Sequence, residues 1–503
     1  MKWLEKWTWH ELATFAFVAI ALSTFSPWFP KINSANELSR LYLTRAMISP
    51  GTLQIDAELK AHGNIADKAK KDGHFYSEKA PGSSLLAVPP VWMYRQVSAA
   101  PDLAGEMRVS RWFVSTFPTI LLLISLVGFW RREDIDAPTR SLLMLVYGLG
   151  TMATTYSVLF YGHQLSGVVG FWLFLAVGAS KPGDDDPKLW PSFLVGFLAG
   201  MAELFEYQNA LMLAPLGVWF VWNQRKNWRG FLAGFLGILG PALVFGIYHH
   251  AAFGAPWKTG YSYLLGDFAK PHAQGFMGLK TPNLDQAWLV LFSSAKGIFW
   301  FSPFLLLALP GLILVGDKAR TQAAARVALV VTFGWTLFVS SMAFPDGWTV
   351  GQRHLTPIVP WLIWAAGLAI TKWRWARVAA PGLALISIFV TGGSTIVWPY
   401  YMARLKNPFF DVGLPLMEQR YFPDNLFGVN SPALALTFFL IVALAVGVYA
   451  FARQTSRTVV GTVFVTLALA SFWWNLGHTI YPDANEVRTV EAIKKKYDRT
   501  PPD

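Results

Sequence analysis

Cysteine is absent from the 503 residues, and charged residues make up only 14% of them. The missing thiols exclude disulfide bonds, zinc–thiolate centres and cysteine nucleophiles. Soluble domains usually carry charge on about a quarter of their residues, so this low charge, together with 54% hydrophobic residues, excludes an ordinary soluble protein. The net charge of +12 does not indicate nucleic-acid binding, because the basic residues lie in short loops between apolar runs, where they orient membrane segments. We expect an integral membrane protein whose partners include membrane lipids and no nucleic acid.

Apolar windows of roughly twenty residues, the length that crosses about 30 Å of hydrocarbon, recur along the chain. They predict an all-α polytopic membrane protein with about thirteen transmembrane helices, in the windows 11–30, 110–130, 139–159, 164–180, 190–207, 209–223, 230–250, 288–316, 325–343, 354–371, 378–398, 433–452 and 458–477. The boundary between the fifth and sixth windows falls at Glu206-Tyr207-Gln208-Asn209, where the apolar run scarcely pauses. The first window is too long for a signal peptide and has no small-residue cleavage site, so we expect it to remain attached.

Basic residues are distributed unevenly between alternate loops. If there are thirteen spans, the short basic loops at 131–140, 181–188, 225–229, 318–326, 372–377 and 453–457 all lie on the side of the N-terminus. Because cytoplasmic loops are enriched in Lys and Arg, the N-terminus is predicted to be cytoplasmic. The long loops, which are rich in aromatic residues, Gly and Pro, then face the exterior.

This topology divides the chain into eight parts. They are a first transmembrane helix (1–30), an extracytoplasmic catalytic loop with juxtamembrane helices (31–108), transmembrane helices 2–7 (109–250), an outer lid-like loop (251–287), transmembrane helices 8–11 (288–398), an outer loop (399–432), transmembrane helices 12–13 (433–477) and an extracytoplasmic tail (478–503). Within the first loop, apolar residues near helical spacing predict interfacial helices over 37–48 and 83–97, the second broken by Pro89-Pro90.

The first outer loop carries most of the acidic and basic residues. A carboxylate at the membrane surface can act as general base on a hydroxyl, which makes Glu37, Asp56 and Asp67 candidate catalytic residues. Glu37 equally suits the first turn of a helix that Ser34 or Asn36 caps. The two aspartates equally suit solvated turns.

A second cluster of candidates is the run Glu78-Lys79-Ala80-Pro81-Gly82, in which an acid and a base precede two residues that fix the backbone. Lys79 could hold a phosphate as a point charge, or it could reach lipid headgroups. The turn 346–354 ends in Arg353 and His354. An arginine there suits bidentate phosphate contact, although an interfacial anchor explains the turn equally well.

Two further features allow two interpretations each. Glu203 and Glu206 lie one helical turn apart in an apolar stretch, which suits either a functional carboxylate pair or interhelical hydrogen bonds. The segment 254–302 could cover a site as a lid and grip a glycan, or it could be an aromatic belt. His163 and His249-His250 do not form metal-ligand spacing with nearby acids.

These residues resemble the GT-C membrane glycosyltransferases, which include the lipid A aminoarabinose transferase and the protein O-mannosyltransferases. The matching pieces are Asn36-Glu37 with Arg40, just after the first span, and Glu78-Lys79-Ala80-Pro81. The second piece resembles the Glu-Lys-Pro-Pro run that ends the first loop of the aminoarabinose transferase. Family members commonly have Asp-Glu after the first span. Because an amide cannot be a base, the resemblance assigns that role here to Glu37, Asp56 or Asp67.

The resemblance implies an inverting glycosyltransferase that moves a sugar from a polyprenyl-phosphate donor to an acceptor hydroxyl on the outer face of a bacterial cytoplasmic membrane. It implies phosphate contacts from Lys79, Arg353 and Arg40, and substrate contacts from Asn36, Tyr76, Glu78, His354, Lys258 and His272. It implies no firm cofactor and leaves a divalent metal open, and the acceptor could be a glycan, a glycolipid or a protein. The alternatives are an oligosaccharide ligase or polymerase using a pyrophosphate-linked carrier, and a lipid-linked glycan transporter. The chain lacks the matching broken segments frequent in transporters.

Overall fold

The computed structural model describes residues 7–27, 29, 34–180, 189–266, 269–272, 278–318, 322–343, 347–423, 432–453, 456–479 and 484–497. The first half contains α1 (Trp9–Thr24), α2 (Ala35–Ile48), α3 (Asp56–His62), β1 (Ala69–Lys71), β2 (His74–Tyr76), α4 (Gly82–Val97), α5 (Leu103–Arg111), α6 (Phe117–Arg132), α7 (Ala137–Leu149), α8 (Met152–Ser157), α9 (Gly162–Ala179), α10 (Leu189–Phe205), α11 (Ala210–Gln224) and α12 (Trp228–Phe253). A π-helical turn, Trp112–Thr116, joins α5 to α6.

Shorter helices alternate with long ones in the second half. They are α13 (Ala269–His272), α14 (Leu284–Leu291), α15 (Ile298–Phe301), α16 (Ala308–Lys318), α17 (Gln322–Ser340), α18 (Val359–Lys372), α19 (Arg374–Ser387), α20 (Gly393–Val397), α21 (Leu414–Glu418), α22 (Pro432–Arg453), α23 (Ser456–His478) and α24 (Ala484–Tyr497). Turns of 3₁₀ helix occupy Tyr207–Asn209, Gly260–Tyr263, Pro303–Leu307 and Arg353–Ile358, and π-helical turns occupy Ile388–Gly392 and Phe409–Gly413.

The all-α polytopic architecture predicted from the sequence is confirmed. Eight described helical segments are long and apolar enough to cross a bilayer, and three more are apolar but shorter, namely Trp9–Thr24, Leu189–Phe205 and Pro303–Val315. The count of thirteen spans and the eight-part division stay predictions. The predicted break between the fifth and sixth windows is confirmed, because α10 ends at Phe205 and α11 begins at Ala210.

Both helices predicted within the first outer loop are present, as α2 and α4. The predicted break at Pro89-Pro90 is wrong, because α4 continues through both prolines. Proline removes a hydrogen-bond donor, but its fixed φ is itself close to the helical value. The helix therefore continues across both prolines although two backbone hydrogen bonds are lost.

A small second core holds the segment between α2 and α4 against the end of α12. Strands β1 and β2 pair antiparallel, and Tyr76 packs in this core with its ring centroid 5.7 Å from that of Phe253. An isolated antiparallel bridge joins Ala69 to Leu264. The first loop and the segment after α12 are thus one folded layer over the helical bundle.

The opposite end of the bundle is fixed by Glu11, which is fully buried at the start of α1. Its carboxylate pairs with Arg131 at 2.9 Å and with Arg140 at 2.7 Å. These two arginines belong to the end of α6 and the start of α7, a loop that the sequence places on the side of the N-terminus. The pairing therefore brings α1 and this basic loop to one end of the bundle.

Candidate functional site

Helix α2 opens the site. The Ser34 hydroxyl caps it by accepting from the Glu37 backbone N–H at 3.2 Å, so the expectation of a capped helix start is confirmed. Glu37 then faces inward and is fully buried. Its carboxylate accepts two hydrogen bonds from Arg111, at 2.8 and 3.0 Å, one from the Tyr400 hydroxyl at 2.7 Å and one from the Phe160 backbone N–H at 2.7 Å.

This carboxylate joins four distant parts of the chain, namely α2, the end of α5, the approach to α9 and the outer segment after α20. Arg111 is itself enclosed, with 6% of its side chain exposed, and it also donates to the Pro27 carbonyl at 2.9 Å. A buried charge that is paired and fully hydrogen-bonded fixes the geometry around it. Glu37 is therefore placed to anchor the first loop on the bundle.

A polar cluster surrounds Lys79 and contains Asp67, Glu78 and Arg40. The Lys79 ammonium group contacts the Asp67 carboxylate at 2.9 Å and the Glu78 carboxylate at 2.6 Å. The exposed fractions of the three side chains are 11% for Lys79, 13% for Asp67 and 5% for Glu78. Burial alone would lower the pKa of Lys79, but the two carboxylates outweigh it and leave that pKa raised. The lysine is therefore a firmly charged cation.

Arg40 lies beside this group, one helical turn after Asn36. Its guanidinium donates to the Asn36 side-chain oxygen at 3.2 Å and to the Ala80 carbonyl at 3.5 Å, and it forms an ion pair with Glu206. Glu206 can approach because glycine lies opposite: a Cβ on Gly162 would collide with its carboxyl group. Glu206 is thus a structural partner of Arg40, whereas Glu203 stays in α10 with a buried oxygen that has no hydrogen bond among the described residues.

The segment after α12 reaches the cluster through Gly260 and Tyr261. A Cβ on Gly260 would come within 2.6 Å of the Glu78 Cα, so only glycine allows this approach. Burial raises the pKa of Tyr261 to about 12, and Lys79 and Glu206 act on the same hydroxyl electrostatically. This segment, predicted as a lid, therefore places a protonated phenol next to Lys79.

Arg353 and His354 approach from the 3₁₀ turn that precedes α18. The Arg353 Nε–H donates to His354 Nε2 at 3.2 Å, and His354 Nδ1 lies 3.2 Å from the Gln208 side-chain oxygen. His354 is thereby held as a neutral imidazole with its proton on Nδ1. Among the described carboxylates, none forms an ion pair with Arg353, which is only partly exposed. Asp346, at the beginning of this turn, lies outside the described residues.

Lys296, which is 1% exposed, holds the turn that precedes Arg353. Its ammonium group donates to the Gly347 carbonyl at 2.5 Å and to the Thr349 carbonyl at 2.8 Å. A Cβ on Gly347 would lie 2.8 Å from the guanidinium carbon of Arg353. Lys296 thus supports the backbone on which the arginine rests.

Four residues predicted to serve the site lie elsewhere or are not placed in it. The Asp56 carboxylate accepts from the Phe75 backbone N–H at 3.1 Å and holds β2, while Tyr76 belongs to the second core. Lys258 is exposed and pairs with no described residue. His272 ends α13, and its side chain lies outside what the structure describes. The structure brings together Asn36, Arg40, Asp67, Glu78, Lys79, Arg353 and His354.

Sequence reasoning missed Arg111, Tyr400 and Tyr161. Arg111 had a signal, because an arginine at the entrance to an apolar span is costly unless it is paired. Tyr400 and Tyr161 had none, since their roles depend on contacts between segments far apart in the chain. The Tyr161 hydroxyl lies 2.8 Å from that of Ser34, and burial raises its pKa to about 12.

Metal binding was left open by the sequence. Within the described part of the chain, no group of three or more His, Asp or Glu side chains is arranged to hold a metal ion. The chemistry available to the cluster from its own side chains is therefore that of carboxylates, an ammonium, guanidinium groups and neutral imidazoles. Such a set can bind an anion and accept a proton close to it.

No protein-family model matches the chain, and no curated protein matches it. Among solved structures, the chain is similar to ArnT from Cupriavidus metallidurans bound to undecaprenyl phosphate, with 14% identity and a TM-score of 0.48 over 93% of this chain and 77% of that one. It is also similar to ArnT from the same organism in the apo state, with 15% identity and a TM-score of 0.47 over 93% and 76% of the two chains.

Proposed function

We propose that the protein is a membrane glycosyltransferase that moves a sugar from a polyprenyl-phosphate donor to an acceptor hydroxyl, with inversion at the anomeric carbon. The observation that carries the proposal is the placement of Lys79 between Asp67 and Glu78, beside Arg40 and close to Arg353. A cation for the departing phosphate and a carboxylate for the acceptor proton are thereby adjacent.

Asp67 is the best general base of the three carboxylates considered. Glu37 is fully buried, and four hydrogen bonds occupy its two oxygens. Asp56 is engaged with the backbone of β2. Asp67 has 13% of its side chain exposed, and Lys79 is its one ion-pair partner among the residues that the structure describes. A donor phosphate that recruits Lys79 would leave Asp67 available to accept the proton.

The charges in the cluster suit this transfer. Arg40 is balanced by Glu206, and Lys79 by two carboxylates, whereas Arg353 has no carboxylate partner among the described residues. When the glycosidic bond to phosphate breaks, the phosphate gains one negative charge while Asp67 gains a proton. The net charge of protein plus ligands therefore stays constant, and Arg353 and Lys79 stabilise the charge that develops on the leaving group.

A lipid-linked donor also accounts for the location of the cluster. Arg40 lies in α2, Lys79 lies just before α4, and Arg353 lies in the 3₁₀ turn before α18. Arg40 and His354 contact residues that directly follow α10, so the cluster borders the helical bundle on one side. On the other side it is covered by the segment of Gly260 and Tyr261. A phosphate on a long apolar chain could bind with its head in the cluster while its tail follows lipid-facing helices.

The test is to incubate the purified protein in lipid nanodiscs with a panel of polyprenyl-phosphate sugars and to follow both thermal stabilisation and donor consumption. Stabilisation or turnover with one donor is expected and would identify the sugar. If no donor in the panel stabilises the protein or is consumed, and a pyrophosphate-linked oligosaccharide is consumed instead, the result would favour a ligase or polymerase. Movement of lipid-linked glycan across a vesicle without chemical change would favour a transporter.

Lys79→Met and Lys258→Met provide a matched pair for the same assay. Both remove one lysine charge from the same outer layer, but Lys79 is enclosed in the cluster and Lys258 is exposed. We expect Lys79→Met to weaken donor binding strongly and Lys258→Met to leave it unchanged. Equal effects of the two substitutions would show that Lys79 is not a donor contact.

A further inference from the structure

His163 lies in the first turn of α9 and is 5% exposed. Its ring packs edge-to-face against His354, with centroids 4.9 Å apart, and the rings of Tyr156 and Tyr161 lie 6.0 and 6.1 Å away. The imidazole is thus fixed in orientation by three aromatic neighbours next to the cluster described above.

Its hydrogen-bonding groups are unused. The His163 side chain makes no hydrogen bond with any residue that the structure describes. The two other enclosed histidines differ: His354 contacts Arg353 and Gln208, and His249 contacts the Tyr207 hydroxyl at 2.9 Å and the Phe245 carbonyl at 2.8 Å. Neither ring nitrogen of His163 belongs to the described buried side-chain atoms that lack a partner, so both nitrogens keep some accessible surface. An accessible ring nitrogen without a protein partner can bind a ligand that enters the cluster.

The surrounding charge indicates what kind of partner. Arg353, Arg40 and Lys79 all lie near enough to act electrostatically on the His163 ring. Three cations around one imidazole disfavour a metal ion at the ring. A neutral imidazole that still carries one N–H can donate that hydrogen to an anionic oxygen.

From these observations we infer that His163 donates a hydrogen bond to a phosphate oxygen of the ligand held by Arg353. This inference rests on the proposed function, because it concerns the phosphate of the same donor. The ring neither accepts the acceptor proton nor changes its own protonation state. It is a binding residue that adds a directional contact to the charges of the three cations.

The experiment measures the affinity of the full-length protein in nanodiscs for undecaprenyl phosphate, undecaprenol and inorganic phosphate. His163→Phe keeps a ring of similar shape and removes the donor. His250→Phe is the matched control, because His250 is exposed at the end of α12. We expect His163→Phe to weaken undecaprenyl phosphate binding roughly 10- to 100-fold, as for one hydrogen bond to a charged acceptor. Undecaprenol binding should not change, and His250→Phe should resemble the unsubstituted protein.

Four results would overturn the inference or the function beneath it. Unchanged affinity of His163→Phe for undecaprenyl phosphate would overturn the inference alone, and so would an equal loss for undecaprenol, since the ring would then act only by packing. Absence of undecaprenyl phosphate binding in the unsubstituted protein would overturn the proposed donor. Binding of inorganic phosphate alone, dependent on His163, would retain the phosphate contact but reject the lipid-linked source.

Discussion

The substitution Glu37→Gln tests whether the Glu37 carboxylate anchors the fold or acts as the catalytic base. In the structure this carboxylate is fully buried and pairs with Arg111, whose side chain is 6% exposed. Glutamine has nearly the same shape but no charge, so the guanidinium would keep its burial and lose its counter-ion. The amide nitrogen would also face the N–H donors of Arg111, which it cannot satisfy.

The expected cost is large. Removing one partner of a buried ion pair typically destabilises a protein by about 3–5 kcal/mol, because the remaining charge is left uncompensated. Glu37 also accepts from the Tyr400 hydroxyl and from the Phe160 backbone N–H, both at 2.7 Å. Since these contacts link four segments, loss of the Glu37 charge should weaken the packing of the whole first loop on the bundle.

Thermal and SDS-induced unfolding in detergent would measure this cost, alongside the transfer rate at a temperature where the variant is folded. We expect Glu37→Gln and Arg111→Met each to be strongly destabilised. The double substitution should be less destabilised than the sum of the two, because no unpaired charge remains. A Glu37→Gln protein with unchanged stability and no transfer would refute the anchoring role and identify Glu37 as the base.

Three further predictions concern the cluster itself. Asp67→Asn should lower the transfer rate at least about 100-fold, as expected for loss of a general base, while donor affinity in a binding assay changes little; an unchanged rate would reject Asp67. Lys296→Met should lower donor affinity by releasing the turn that supports Arg353, and donor titration would detect this, whereas unaltered affinity would show that the turn holds without it. Between pH 7 and 10 donor binding should persist. The two carboxylates raise the pKa of Lys79, so the lysine loses its charge only above the ordinary pKa of a lysine. Burial raises the pKa of Tyr261 to about 12, so the phenol also stays protonated in this range. Loss of binding near pH 8 would contradict this assignment.

Helical organisation could be predicted because its causes are local. Apolar runs of the right length define the bundle, and a polar interruption of four residues sufficed to locate the break between α10 and α11. The same local reasoning failed at Pro89-Pro90. There α4 continues although each proline removes a backbone donor and disfavours a helix locally, so the fold around α4 overrides the local preference.

The site was only partly predictable because it is assembled from segments far apart in the chain. Lys79 and Asp67 lie in one loop, and their proximity could be suspected from the sequence. No local pattern could reveal that Glu206 forms an ion pair with Arg40, or that Arg111 neutralises the charge of Glu37. The fold pairs Glu37 and Glu206 with arginines. The carboxylate that remains available as a base therefore depends on contacts between distant segments.

This division of the carboxylates also explains how asparagine can stand at position 36. The Asn36 side-chain oxygen accepts from Arg40, whose remaining contacts are the Ala80 carbonyl and Glu206. An aspartate there would place a second carboxylate on an arginine that already has one, and it would reduce the positive charge available to a phosphate. With Glu206 supplying the counter-ion, a neutral amide orients Arg40 without adding charge. The base can then reside on Asp67, next to the lysine that the phosphate would engage.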